Sequence, residues 1–124
     1  MKIQQSAEDY LESILFLSKH HEHVRSIDVV RHLCLSKPSV SVYLKNLKQN
    51  NYIEIDDKGY ITLTTAGFDI ANKIYERHEI LASIFIALGV NKETAYDDAC
   101  RIEHDLSDET FDALKKYMYK MINQ

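Results

Sequence analysis

The run Cys100-Arg101-Ile102-Glu103-His104 holds a thiol, a carboxylate and an imidazole in close succession. Positions three and four apart share one helical face, so on a helix all three donors point the same way. Together they supply most of the donor set of a transition-metal site. Asp9 and Glu12 repeat the i, i+3 spacing near the N-terminus, and Arg77-His78-Glu79 adds another imidazole. Each residue also has an ordinary reading. Asp9 can cap its helix, Glu12 can lie on the surface, His78 can be a core histidine bonded to a carbonyl, and Cys100 can be a small buried hydrophobe. Residue types and spacing leave both readings open. The cluster His20, His21 and His23 reads as an exposed loop. An enzyme is not expected: Ala82 stands where the second histidine of H-E-x-x-H would follow His78-Glu79, and no Gly-rich phosphate loop or Ser/His/Asp set is present. No small-molecule substrate is implied.

A second chemistry lies in the distribution of charge. The net charge of −4 argues against a nucleic-acid partner, but the local balance does not. From Val24 to Asn51, Arg25, Arg31, Lys37, Lys45 and Lys48 face Asp28 alone. From Glu93 to Asp112, eight acids face Arg101 alone. A basic segment followed by an acidic one predicts two surfaces, one for an anion and one for a cation.

The elements that must position these groups are mostly helical. Ser6 with Asp9 reads as a capping pair for a first helix through Tyr10, Ile14 and Leu17. Ser26 caps a short second helix through Val29, Val30 and Leu33, and Cys34-Leu35-Ser36-Lys37 makes a turn. A third helix follows with Pro38 in its first turn and Val40, Leu44 and Leu47 inward. Tyr52–Ile55 and Tyr60–Leu63 alternate around Asp56-Asp57-Lys58-Gly59, which predicts a β-hairpin. Thr64 or Thr65 then caps a long helix that Gly89 stops. Asn91 caps another, expected over Glu93 to about Asp105, and Ser107 starts the last.

The fold class is therefore mainly α with a small β-hairpin. A winged helix-turn-helix DNA-binding domain is expected over 1–65, followed by an all-helical domain over 66–124. In a winged helix-turn-helix the second helix of the pair enters the major groove. Its outward residues here are Ser39, Ser41, Val42, Lys45 and Asn46. Small hydroxyls permit close approach, Val42 suits a thymine methyl, and Asn46 suits adenine. Arg31, Lys37, Lys45 and Lys48, with Lys58 at the hairpin tip, read as phosphate contacts. Tyr43 is assigned to the core rather than to DNA.

Composition sets the outer limits. The 124 residues include only 3 Gly and 1 Pro, too few turn formers for a sandwich or barrel. An apolar share of 45% and a charged share of 27% fit a folded soluble chain. No apolar run approaches the roughly 18 residues of a membrane span, and Met1 to Ser6 lacks the core of a secretion signal. Cys34 and Cys100 form no C-x-x-C pair. A cytoplasmic protein without a membrane partner is expected.

These motifs, taken together, resemble the DtxR/MntR family of metal-dependent bacterial transcriptional repressors over essentially the whole chain. The resemblance is carried by Glu8-Asp9-Tyr10-Leu11-Glu12, Pro38-Ser39-Val40-Ser41 and Leu63-Thr64-Thr65-Ala66-Gly67, then by Arg77-His78-Glu79-Ile80-Leu81 and Ile102-Glu103-His104. It implies a homodimer that binds a palindromic operator, with Fe²⁺ or Mn²⁺ as co-repressor. It also implies a main metal site of Asp9, Cys100, Glu103 and His104, with Glu12 and His78 serving a second ion. The chain departs from both branches. Cys100 stands where MntR-like members usually carry Glu, and Asp9 where DtxR-like members usually carry Met. Ala82 and Tyr96 occupy the positions of the DtxR-like ancillary ligands, so that site is not expected. A thiolate suits Fe²⁺, and also Co²⁺ or Zn²⁺ in vitro, whereas Asp9 and Glu103 suit Mn²⁺. The alternative is a metal-independent winged-helix regulator whose acidic half only dimerises.

Overall fold

The computed structural model describes residues 5–122; the N-terminal residues read above for a secretion signal lie partly outside them. The elements run α1 (Gln5–His20), α2 (Ser26–Leu33), α3 (Lys37–Gln49), β1 (Ile53–Ile55), β2 (Ile61–Leu63), α4 (Thr65–Ala87), α5 (Lys92–Ile102) and α6 (Asp108–Ile122). They fall into two compact units, residues up to Lys73 and residues from Ile74 onward.

In the first unit α1 packs on α2, α2 on α3, α3 on β1, and α1 on β2. The inward stripe of α1 is Tyr10, Leu11, Ile14, Leu15 and Leu17, all buried. Ser6 lies inside α1, so it is not the residue that precedes the helix. Helix α2 is likewise entered one residue earlier than Ser26: Arg25 is extended, and its amide donates to the Asp28 carboxylate at 2.9 Å. Cys34 then turns the chain in the left-handed region, with φ 56°, and its amide reaches Val30. Ser36 caps α3 by accepting the amide of Ser39, and Pro38 sits in the first turn, where a missing N–H costs nothing. Val40, Leu44 and Leu47 are buried as the spacing predicts.

Strands β1 and β2 pair antiparallel, with Ile53 opposite Leu63 and Ile55 opposite Ile61. Asp56 closes the turn by accepting the amides of Lys58 and Tyr60. Gly59 adopts φ 83°, which glycine takes without steric cost. On its other side β2 is tied to the α1–α2 loop, the Ile61 amide donating to the Val24 carbonyl at 2.8 Å. Thr64 caps α4 by accepting the Gly67 amide. A Cβ added at Gly67 would stand 2.0 Å from the Tyr52 carbonyl oxygen, so this crossing tolerates no side chain.

The second unit centres on Leu81, Ala82 and Ala99, covered by Phe85, Tyr96, Leu106 and Leu114. Asn91 caps α5 through the Glu93 amide, and Ser107 caps α6 through the Thr110 amide. Helix α5 ends at Ile102, three residues short of the expected limit. Glu103 is its final cap, and His104 lies in the turn beyond. No helix among the described residues is long and apolar enough to cross a membrane.

Candidate functional site: a metal centre and a nucleic-acid face

Glu103 is fully buried, an expensive position for a carboxylate unless charges and donors surround it. Its Oε2 lies 2.9 Å from His78 Nδ1, and its Oε1 lies 3.4 Å from His104 Nε2. Oε1 has no hydrogen-bond partner of good geometry among the described residues. Ligand atoms of His78, Cys100 and Glu103 all lie within 4.8 Å of one another. An ion bound to nitrogen, thiolate and carboxylate sits about 2.0–2.3 Å from each donor, so small side-chain adjustments bring all three into its reach. The donor chemistry and the under-bonded Glu103 oxygen therefore fit a divalent transition metal.

Helix α4 supplies His78, the last turn of α5 supplies Cys100, and the cap and turn after it supply Glu103 and His104. Of the Cys-x-x-Glu-His run, Cys100 and Glu103 come together with His78, and Glu103 keeps helical geometry at the cap of α5. Because α5 stops at Ile102, the chain bends and His104 approaches the other carboxylate oxygen. Cys100 is exposed rather than a buried hydrophobe. Tyr96 leans on the His78 ring with centroids 5.3 Å apart, and its hydroxyl donates to Glu79 at 3.0 Å. That bond, with burial second, holds the Tyr96 phenol above its usual pKa. Ala82 is wholly buried in the core of the unit.

Asp9 and Glu12 belong to the first unit, both half-buried on α1. Tyr10, beside Asp9, stacks on Tyr43 of α3 with centroids 4.3 Å apart and planes at 12°. The Tyr43 phenol is pushed up by burial first and by the negative charge of Asp9 second. Tyr43 thus belongs to the packing between α1 and α3.

On α3, Lys37, Ser39, Ser41, Val42, Lys45, Asn46 and Lys48 are all exposed, as are Arg31 on α2 and Lys58 in the hairpin turn. Val42 is 69% exposed, which leaves its methyl groups open to contact from outside. Two polar groups on this face are already engaged. The Ser39 hydroxyl accepts from Ser36 at 2.8 Å, and the Asn46 amide oxygen accepts from Asn50 at 2.8 Å. Asn46 keeps its amide donors and one lone pair for a base edge. Beside the hairpin, His23 stacks on Tyr60 at 4.0 Å, and Arg25 donates to the Tyr60 hydroxyl at 3.2 Å.

The sequence reading named Arg77 only as part of a motif and gave it no role of its own. It is 5% exposed, donates to the carbonyls of Glu103 and Leu106, and pairs with Asp108.

Family models match both halves of the chain. The family model described as the iron dependent repressor N-terminal DNA binding domain matches residues 2–60. The model for the metal binding and dimerisation domain of the same family matches residues 64–121. An HTH-type transcriptional regulator of Methanocaldococcus jannaschii is 33% identical over 95% of this chain and 96% of its own length. The transcriptional regulator MntR of Escherichia coli is 34% identical over 91% of this chain and 73% of its own. Among solved structures, the metal-dependent transcriptional regulator MtsR superposes with a TM-score of 0.82 at 26% identity over 90% of this chain. The manganese regulator SloR superposes with a TM-score of 0.78 at 25% identity over 91%. This chain spans 53% of each of those two structures.

Proposed function

The chain belongs to the iron-dependent repressor family, and from that premise we propose that it represses metal-homeostasis genes when Mn²⁺ or Fe²⁺ is bound. The observation that carries the metal half of this reading is Glu103, a buried carboxylate between two imidazoles with a thiol in reach. A bound divalent cation supplies the positive charge that this carboxylate and a Cys100 thiolate call for. His78, Cys100, Glu103 and His104 would hold it, and Asp9 and Glu12 of α1 are proposed as the ligands contributed by the reading half. Zn²⁺ and Co²⁺ suit the same nitrogen, sulfur and oxygen donors in vitro. A metal-independent regulator would keep the costly buried carboxylate without using it.

The DNA half is proposed to work through α3. Ser39, Ser41, Val42 and Asn46 meet base edges, while Arg31, Lys37, Lys45, Lys48 and Lys58 engage phosphates and set the register. Functionally, residues 1–65 form the reading part and 66–124 the metal-binding and dimerisation part. Leu88, Tyr117 and Met121 are 77%, 60% and 52% exposed along one groove between α4 and α6, and we assign this apolar face to contact with a second copy. A two-fold dimer places its two reading helices in successive major grooves of a palindromic operator. Such a protein acts in the cytoplasm. Activation requires that the DNA-competent arrangement bind the ion more tightly than the alternatives do.

The test is duplex selection with Mn²⁺-loaded protein, followed by anisotropy of the enriched sequence. Chelator-treated protein is then titrated separately with Mn²⁺, Fe²⁺ (anaerobically) and Zn²⁺. A palindromic sequence bound tightly only with metal is expected. Equal affinity with chelator overturns the reading in favour of the metal-independent one.

A further inference from the structure

We propose that Arg77 is a positioning residue of the metal centre, tying the turn that carries Glu103 and His104 to the helix that carries His78. The inference rests on the metal reading above. Arg77 immediately precedes His78 on α4 and is 5% exposed. Its Nη1 donates to the main-chain carbonyls of Glu103 at 3.0 Å and Leu106 at 2.8 Å. Its Nη2 pairs with the carboxylate of Asp108 at the start of α6. The guanidinium carbon lies 5.0 Å from the centre of the Phe111 ring. One side chain thereby fastens α4, the turn after α5 and the first turn of α6.

The fastening matters because the ligands lie where the helix has run out. The last carbonyls of a helix have no partner in the helix itself and leave the turn beyond them loosely specified. Here the Glu103 carbonyl, at the cap of α5, finds its partner in Arg77. The same residue's carboxylate must stay 2.9 Å from His78 Nδ1, one position along from Arg77. Holding the Glu103 backbone from α4 holds the Glu103 carboxylate against the α4 histidine. A lysine keeps the charge but lacks the planar fork that meets two carbonyls and a carboxylate at once. Arg77 itself approaches the site through backbone atoms and is not a ligand.

The test uses Co²⁺ titrated into the chelator-treated full chain. Absorbance reads both affinity and the thiolate-to-cobalt charge-transfer band. Arg77→Lys is expected to weaken Co²⁺ binding by about ten- to a hundredfold, the usual loss when groups that orient metal ligands are removed. Its ligand-field bands should shift while far-UV circular dichroism stays the same. If Arg77 merely supports the fold, the variant melts earlier, but its folded fraction binds Co²⁺ with unchanged affinity and spectrum. That result overturns the proposal, as does tighter Co²⁺ binding by the variant. Asp108→Asn loosens the guanidinium from its exposed end and should weaken Co²⁺ binding in the same direction to a smaller extent. An unchanged Asp108→Asn variant counts against the proposal even where Arg77→Lys does not fold. Absence of Co²⁺ binding by the unsubstituted chain instead removes the metal reading, and this inference falls with it.

Discussion

Cys100 and Glu103 divide the chemical labour of the candidate centre between a soft donor and a hard one. A thiolate favours later, softer ions, and a carboxylate accepts Mn²⁺ without penalty. Replacing the sulfur by a second carboxylate, Cys100→Asp, should therefore move the preference from Zn²⁺ and Co²⁺ towards Mn²⁺. We expect the ratio of Zn²⁺ to Mn²⁺ affinity to fall, measured by competition against a chromophoric chelator. Cys100, Glu103 and His104 were legible as candidate donors from their types and spacing, which left an ordinary reading open beside the metal one. Cys100 and Glu103 keep the helical spacing through the cap of α5, but the place of His104 was not legible, since it lies in the turn beyond. Ser107, which caps α6, was the local sign that α5 had to end early. Arg77 was illegible for a different reason. Its burial depends on acceptors at residues 103, 106 and 108, which only the folded chain brings to it.

At the scale of elements, α3 shows how a short periodic stripe fixes an exposed face. Burying Val40, Leu44 and Leu47 leaves Lys45 exposed. Lys45→Ala should weaken binding to all DNA sequences alike and reduce the salt slope of log Kd by about one. A change confined to one base position, seen in binding to a set of single-base variants, would contradict a phosphate role. The hairpin was equally legible, because Asp56-Asp57-Lys58-Gly59 separates two alternating runs. Its attachment to Val24 was not, since a main-chain hydrogen bond leaves no mark in residue types. The junction between hairpin and α4 makes the sharpest mechanical demand. Gly67→Ala forces a methyl against the Tyr52 carbonyl and should cost about 1–3 kcal/mol, the usual range for overpacking. Urea unfolding of the variant beside the parent chain measures it.

For the whole molecule, ligation and stability are linked. A divalent ion that binds only the folded chain should stabilise it by about 2.7 kcal/mol at a hundred times its Kd. Melting followed by calorimetry, with Mn²⁺ added to chelator-treated protein, should show the transition moving upward with metal concentration. Glu103→Gln should abolish that movement by removing a ligand charge from the buried centre. The opposed charge of the two segments was visible in the sequence. One main-chain bond bears on how copies of the chain meet. Since β2 already gives its Ile61 amide to Val24, that position on its rim is not open for another copy to extend. Fibre-like growth by strand addition is thereby discouraged along β2.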